Sequence, residues 1–159
     1  MPIIALSIKA NMENVSDLQP MDFTSHQWSL KCTGCRETSD KFRYISADEI
    51  VDLPNSRGQA NYVEKCGFCS KQNNIVILTD SFKPYTENEE FQVIVRFECR
   101  GTEPVEFEPT GEWKCGSTLS NAVFTKIDLS DTFADYDENA SEAVTIDGLE
   151  SKLFLNDLR

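Results

Sequence analysis

The sequence predicts an all-β protein, either a sandwich or a partly open barrel, built from many short strands around a pair of cysteine-containing turns. Three observations support this fold class. Apolar and polar residues alternate with a period of two in several segments, as expected for strands with one buried face. Gly, Pro, Asn and Ser residues separate these segments at short intervals, which indicates frequent turns. Evidence for helices is confined to one short segment near the C-terminus.

The first strand is predicted over residues 4–11, where apolar side chains occupy every second position. The clearest strand spans residues 91–99, and its apolar positions are Phe91, Val93, Val95, Phe97 and Cys99. Shorter strands are predicted around five further apolar groups: Trp28/Leu30, Phe42/Tyr44, 75–78, Val105/Phe107 and 123–129.

One short helix is predicted close to the C-terminus. Phe133, Tyr136, Ala140 and Val144 would share one helical face, and Ser130 would cap the first turn. A helix of this size does not change the predicted fold class.

A weak internal repeat relates the two halves of the chain. Residues 8–10, 17–20 and 28–32 recur in order as 95–97, 106–109 and 113–115. The last match makes Trp113 equivalent to Trp28, and Cys115 equivalent to Cys32. Duplication and chance similarity between strand–turn–strand segments explain this pattern equally well.

The composition fits one domain over residues 1–159. The chain has 159 residues, of which 40% are hydrophobic, and chains of this length bury roughly 68–70% of their unfolded surface. No apolar run approaches the roughly 20 residues of a membrane span. The N-terminus lacks the basic flank and cleavage site of a signal peptide. We therefore expect a soluble monomer of the cytoplasm or nucleus.

Charge is distributed unevenly along the chain. Residues 1–83 carry 10 acidic and 9 basic side chains, whereas residues 84–159 carry 17 acidic and 6 basic ones. Nucleic acids and anionic membranes are bound mainly through Lys and Arg, so neither is an expected partner of this protein. The simplest interpretation of the acidic half, residues 84–159, is a solvated surface that aids solubility.

Four of the six cysteines form two CxxC pairs, Cys32/Cys35 and Cys66/Cys69. A CxxC turn directs two sulfurs at one ion, and we expect Gly34 and Gly67 to permit the tight turn geometry. Two such turns complete a tetrahedral four-sulfur site. The pattern therefore predicts one Zn²⁺ per chain, held by a zinc-ribbon-like site within residues 28–78.

Other interpretations of the CxxC pairs are weaker. Disulfides are disfavoured because nothing marks the chain as secreted. Iron is the main rival, because a four-sulfur tetrahedron suits iron as well as zinc. Four cations flank the pairs and either offset the charge of the site or are ordinary exposed loop residues: Lys31, Arg36, Lys65 and Lys71.

The remaining candidate residues give little support for catalysis. Cys99 is predicted to be a buried core thiol, Cys115 a loop thiol, and the single histidine, His26, a surface residue and not a ligand or a base. Residues 135–138 form an acidic cluster that we interpret as a solvated loop. A site closed by four cysteines has no open position for water, so no catalytic residues are assigned and an enzyme is not expected.

Six sequence motifs together resemble the eukaryotic CXXC-motif-containing zinc-binding protein family, a family of unknown function, over nearly the full chain. They are Ile4 to Ala10, Cys32…Cys35, Ser56 to Asn61, Cys66…Cys69, Phe97 to Pro104 and Asp135 to Glu138. The resemblance implies an all-β fold with zinc held by cysteines 32, 35, 66 and 69, and no established enzymatic activity. Arg57 and Arg100, within these motifs, are interpreted as structural arginines that bind loop carbonyls rather than as an anion site.

Three functional hypotheses follow from the sequence. The first is a non-enzymatic, zinc-stabilised β protein that contacts other proteins of unknown identity. The second is a metal-handling protein that exchanges zinc or copper with a partner. The third is an enzyme with a cleft elsewhere on the β scaffold.

Overall fold

The computed structural model describes residues 2–22, 26–39, 42–54 and 57–156. Within these ranges the chain forms β-strands and one short 3-10 turn, Thr79–Ser81, so the predicted all-β class is confirmed. The strands are β1 (Ile3–Glu13), β2 (Val15–Pro20), β3 (Gln27–Cys32), β4 (Val51–Asp52), β5 (Gln59–Ala60), β6 (Tyr62–Lys65), β7 (Gln72–Leu78), β8 (Gln92–Arg100), β9 (Thr102–Glu108), β10 (Glu112–Ser117), β11 (Val123–Asp128), β12 (Phe133–Asp137) and β13 (Glu142–Leu155). The described residues contain no helix long and apolar enough to cross a membrane.

A six-stranded antiparallel sheet is the largest element of the fold, with the strand order β12-β13-β1-β8-β7-β6. Three smaller sheets accompany it: β11-β10-β2, β3-β9 and β4-β5. β1 and β8, which contain the two clearest alternating patterns of the sequence, pair with each other at the centre of the large sheet. β1 is buried on both faces over this stretch, because Ala5 and Ser7 are buried as well as Ile4 and Leu6.

The strand pairings repeat across the two halves of the chain. If β1, β2 and β3 are matched to β8, β9 and β10, the pair β2–β10 corresponds to the pair β9–β3, and β1–β8 corresponds to itself. The outer strands follow the same rule, because β12-β13 flank β1 as β6-β7 flank β8. The weak sequence repeat therefore has a structural counterpart, with two corrections. Trp113 pairs with Pro20 and Trp28 with Phe107, so residues 17–20 correspond to 104–107 and not to 106–109. For the same reason Cys32 corresponds to Ser117 and not to Cys115.

Aromatic residues from both halves form the centre of the core. Trp28 and Trp113 are each 0% exposed. The ring of Trp28 lies 4.6 Å from that of Phe107 and 5.1 Å from that of Phe97, measured between centroids. Burial of such side chains is worth about 1.5–3 kcal/mol each, so these contacts hold β3, β8 and β9 together.

The predicted helix near the C-terminus is wrong. Phe133 and Tyr136 lie on β12, Val144 lies on β13, and residues 138–141 form the turn between these strands. The period of β13 is obscured because its register with β1 shifts between Lys9 and Asn11, opposite Gly148, whose φ is +65°. A bulge of this kind interrupts the alternation that identifies a strand.

Two strand predictions need smaller corrections. On β8 the predicted buried face is found at Val95, Phe97 and Cys99. The register shifts between the pairs Leu6–Val95 and Ser7–Val93, so Ile94 is the extra residue of a bulge and turns inward. Because of this shift Phe91, just before β8, is exposed. Around Phe42 and Tyr44 the structure has a single bridge between Trp28 and Arg43 in place of a strand.

Candidate metal centre

The first cysteine turn, residues 32–37, begins where β3 ends. The Cys32 amide donates to the Glu37 carbonyl (2.9 Å), and the Arg36 amide donates to the Cys32 carbonyl (2.7 Å). The Thr33 amide donates to the Gly101 carbonyl (2.9 Å), which ties this turn to the junction of β8 and β9. Cys32 and Cys35 thus face one side of a turn that is fixed by main-chain hydrogen bonds.

The second cysteine turn, residues 66–71, connects β6 to β7 and has the same hydrogen-bond pattern. The Cys66 amide donates to the Lys71 carbonyl (2.8 Å), and the Ser70 amide donates to the Cys66 carbonyl (2.9 Å). The left-handed conformation that closes each turn belongs to Arg36 (φ 66°) and Ser70 (φ 64°). The predicted role of Gly34 and Gly67 is therefore wrong, because neither glycine has positive φ.

Gly34 has a different function in the turn. A Cβ atom at this position would lie 3.2 Å from Cδ and 3.6 Å from Nζ of Lys71. The missing side chain therefore lets the Lys71 stem cross from the second cysteine turn to the first. The same Cβ position is 3.7 Å from Cys32 Sγ, so the side chain of Lys71, one of the four predicted flanking cations, reaches the first cysteine turn.

The four sulfurs converge on one point. The Sγ atoms of Cys32, Cys35, Cys66 and Cys69 all lie within 4.8 Å of one another. Across the two turns, Cys32 Sγ is 3.7 Å from Cys69 Sγ, and Cys35 Sγ is 3.7 Å from Cys66 Sγ. A tetrahedral zinc with Zn–S bonds of about 2.3 Å separates its sulfur ligands by about 3.8 Å. The donor set and its spacing fit a four-sulfur metal site.

Main-chain amides favour the thiolate form of two of these cysteines. The amide of Cys35, with smaller contributions from the Asn73 side chain and the Gly34 amide, lowers the pKa of Cys32 to about 6. The amides of Cys69 and Phe68 lower the pKa of Cys66. The Glu37 amide acts in the same direction on Cys35, but burial and the neighbouring thiols outweigh it and raise that pKa to about 12. Without an ion, the thiolate form is therefore favoured at Cys32 and Cys66 and disfavoured at Cys35.

Asn73 contacts the first cysteine turn, and Gly101 packs against Asn73. Asn73 is 2% exposed and its Nδ2 lies 3.5 Å from Cys32 Sγ, so its amide donates to the sulfur. Gly101 has φ +80°, and a Cβ atom there would overlap Asn73 Oδ1. Sequence reasoning did not find Asn73, because a polar residue at the start of a strand is an ordinary feature. Gly101 could be identified from the sequence only as part of a motif of the resembled family, Phe97 to Pro104.

A cavity of about 300 Å³ opens beside the sulfurs. Cys32, Cys66, Phe68 and Asn73 line it, together with the ion pair between Arg43 Nε and Glu64 Oε1, whose atoms are 3.2 Å apart. This cavity could not be predicted from the sequence, because the residues that line it come from segments that are distant along the chain. Arg57 and Arg100 are exposed, and Ser56 lies outside the described residues.

The other titratable candidates lie away from the four sulfurs. Cys99 is buried in β8 as predicted, and burial raises its pKa to about 12. Cys115 is not a loop thiol but lies buried on β10. His26 is 0% exposed, packs against Phe107 and accepts a hydrogen bond at Nδ1 from the Gly111 amide, so its predicted surface position is wrong. Burial lowers the pKa of His26 to about 4.

Sequence comparison connects this four-cysteine site to a family. The family model described as CXXC motif containing zinc binding protein, eukaryotic, matches residues 5–154. The chain belongs to this family. The human protein named CXXC motif containing zinc binding protein is 43% identical over 150 residues, which cover 90% of this chain and 92% of the human one. The family resemblance predicted from the sequence is thus confirmed, and the relatives' name describes zinc binding and no enzymatic activity.

Two solved structures share the fold. The crystal structure of C1orf123 has a TM-score of 0.89 and 39% sequence identity, covering 97% of this chain and 99% of that chain. A hypothetical protein from Plasmodium falciparum has a TM-score of 0.85 and 27% identity, covering 97% of this chain and 100% of that chain. The arrangement of strands described above is therefore shared with proteins that are 39% and 27% identical to this chain.

Proposed function

We propose that Cys32, Cys35, Cys66 and Cys69 bind one Zn²⁺ ion with a structural role. Three observations support this: the cross-turn sulfur separation of 3.7 Å, the amides that donate to Cys32 and Cys66, and the family's name. When bound, the ion would neutralise the thiolates and link the two turns. Four sulfur ligands leave no position for a reactive water, so the proposed ion would be a structural and not a catalytic one.

The location of the two turns supports a structural role. The first turn extends from β3, which pairs with β9 in a two-stranded sheet, and the second turn belongs to the outer hairpin of the six-stranded sheet. A two-stranded hairpin is marginally stable by itself, and among the described strands β6 pairs with β7 alone. An ion between the turns would join the two sheets at this end of the molecule. Metal analysis of purified protein should give about one zinc per chain in a colourless solution, whereas visible iron–thiolate absorption would contradict the assignment.

We further propose that the protein acts by contacting other proteins through the tip of the second cysteine turn. This proposal rests on the exposure of Phe68: the residue is 64% exposed although it lies between Cys66 and Cys69. The turn fixes the backbone of Phe68, so binding to this side chain would cost little conformational entropy. Rigid exposed aromatic residues are frequent anchors of protein interfaces.

Affinity purification tests this surface. Wild-type protein, Phe68→Ser and Leu155→Ser would be used as baits in parallel, with bound proteins quantified by mass spectrometry. Leu155 is a matched control because it is 61% exposed but lies at the end of β13. We expect Phe68→Ser to lose partners that both other baits retain. Identical partners for all three baits would contradict a role for the turn.

Metal exchange is a second candidate function, and one observation favours it. Cys69 is exposed, whereas Cys32 and Cys66 are buried. A partner's thiol could therefore reach one ligand without unfolding the turns. Release of zinc to excess chelator separates the two functions: a structural ion should leave over many hours, and an exchangeable one within minutes at neutral pH.

A further inference from the structure

The second half of the chain contains two loops at the positions of the cysteine turns. The Ser loop, residues 117–122, connects β10 to β11 where the first cysteine turn follows β3. The Asp turn, residues 137–142, connects β12 to β13 where the second cysteine turn connects β6 to β7. The repeat of strand pairings matches these positions one by one. The four cysteines correspond, in chain order, to Ser117, Ser120, Asp137 and Ala140.

The main chain of the Ser loop repeats two of the three bonds described for the first cysteine turn. The Ser117 amide donates to the Ala122 carbonyl (2.9 Å), as the Cys32 amide donates to the carbonyl five residues later. The Thr118 amide donates to the Asn14 carbonyl (3.0 Å), as the Thr33 amide donates to Gly101. Asn14 lies between β1 and β2 with φ 63°, the place that Gly101 has between β8 and β9.

The side chains also accept from the same amides, with oxygen in place of sulfur. Ser117 Oγ accepts from the amides two and three residues later, at 3.0 and 3.1 Å, which are the amides that stabilise the Cys32 thiolate in the first cysteine turn. Ser120 Oγ accepts from the amide two residues later (3.1 Å), as Cys35 does. In the Asp turn, Asp137 Oδ1 accepts from the amides two and three residues later, at 3.0 and 3.2 Å, as Cys66 does.

The centre of this second site is occupied by a carboxylate. Asp137 Oδ2 accepts hydrogen bonds from the hydroxyls of Ser117 (2.5 Å) and Ser120 (2.7 Å). Both oxygens of Asp137 therefore have two donors each, which uses the acceptor capacity of a carboxylate. Asp137 is only 1% exposed. A buried carboxylate surrounded by four donors has no free lone pair directed at a cation.

We propose that Asp137 is the metal-free counterpart of the ion-binding centre: its carboxylate cross-links the Ser loop to the Asp turn as a bound ion would cross-link the two cysteine turns. The charges in the two sites are opposite. Hydroxyl and amide donors hold the negative Asp137 carboxylate, whereas thiolates would hold a positive ion in the cysteine turns. The second half of the fold would then keep its loops together without metal. This inference goes beyond the proposed zinc site and does not depend on which ion the cysteines bind.

Hydrogen exchange on full-length Asp137→Ala, compared with Asp135→Ala, tests the cross-link. Asp135 is the matched control because it lies on the same strand but is exposed. We expect amides 118–122 and 138–142 to exchange at least tenfold faster in Asp137→Ala, with amides 33–37 and 67–71 unchanged. Exchange in the Ser loop that matches the Asp135→Ala control would overturn the proposal.

A gain-of-function variant tests the proposed equivalence even if Asp137→Ala does not fold. Replacing Ser117, Ser120, Asp137 and Ala140 by cysteine should create a second four-sulfur site. Co²⁺ titration, followed by its thiolate charge-transfer absorption, should then saturate at one more equivalent than wild-type protein does. The control combines Ser117→Cys and Ser120→Cys with Asp137→Ser and keeps Ala140. It should gain no such equivalent. An unchanged Co²⁺ stoichiometry in the four-cysteine variant would overturn the equivalence, whatever the native site binds.

Discussion

The two pairs of turns in this protein share part of their hydrogen-bond pattern but differ in the chemistry at their centres. In the first half, four sulfurs surround a position that fits a metal ion. In the second half, Asp137 and two serine hydroxyls occupy the corresponding position. The backbone of a CxxC turn therefore does not itself require metal. Four side chains decide whether the cross-link is an ion or a set of hydrogen bonds.

The largest expected effect comes from removing one sulfur of the first pair of turns. Cys66→Ser should lower the melting temperature by at least roughly 10 °C, because losing a ligand weakens metal binding and exposes unpaired thiols. Cys115→Ser is the matched control with an identical chemical change. Its hydroxyl would be buried on β10 at a cost of about 1–3 kcal/mol, so a shift of a few degrees is expected. Equal shifts in thermal denaturation would contradict the proposed role of Cys66.

The loop junctions behind the two pairs should respond differently to substitution. Gly101→Ala should destabilise the protein by about 2–4 kcal/mol, because alanine at φ +80° is strained and its Cβ would displace Asn73. Urea denaturation measures this change. The reciprocal change at the equivalent junction, Asn14→Gly, should cost less than about 1 kcal/mol, because glycine adopts φ 63° freely. Similar losses at both junctions would show that Asn73 does not need the space above Gly101.

A smaller effect is expected where the two halves meet, at His26. Its pKa is lowered from 6.5 to about 4 by burial, so only the unfolded state takes up a proton as the pH falls below 6.5. Stability should therefore fall by about 1.4 kcal/mol between pH 7.5 and 5.5 and stop falling for this reason below about pH 4. Urea denaturation of wild-type protein and His26→Phe would isolate the contribution, since phenylalanine keeps the packing against Phe107. Parallel pH profiles of the two proteins would contradict it.

Sequence reasoning predicted the chemistry of the first half better than that of the second. Cysteine is rare and its spacing in Cys32/Cys35 and Cys66/Cys69 has few interpretations, so the site was visible without a structure. Serine and aspartate are common in ordinary turns, and the same spacing in Ser117/Ser120 carried no comparable signal. Asp137 was assigned to a solvated loop because its burial depends on partners twenty and seventeen residues away.

The fold class was also easier to predict than its details. Period-two alternation identified β1 and most of β8, because each has a long regular face. It failed for β12 and the start of β13, because Phe133, Tyr136, Ala140 and Val144 occur at helical spacing although they belong to two strands and the turn between them. His26 could not be placed because its burial depends on packing between strands that are distant in sequence. Local patterns therefore report which segments form strands, but not which loops meet.

Hydrogen exchange before and after metal removal tests most directly the claim that only the first half of the molecule depends on an ion. After chelation, amides 33–37 and 67–71 should lose protection, while amides 118–122 and 138–142 keep theirs. Trp28 and Ile75 should also remain protected, because they lie in the aromatic and aliphatic core. Loss of protection in both halves would contradict the account, since it would mean that the ion supports the whole fold as one unit. Retention in the cysteine turns would contradict it in the opposite way, because the ion would then be cargo and not a structural cross-link.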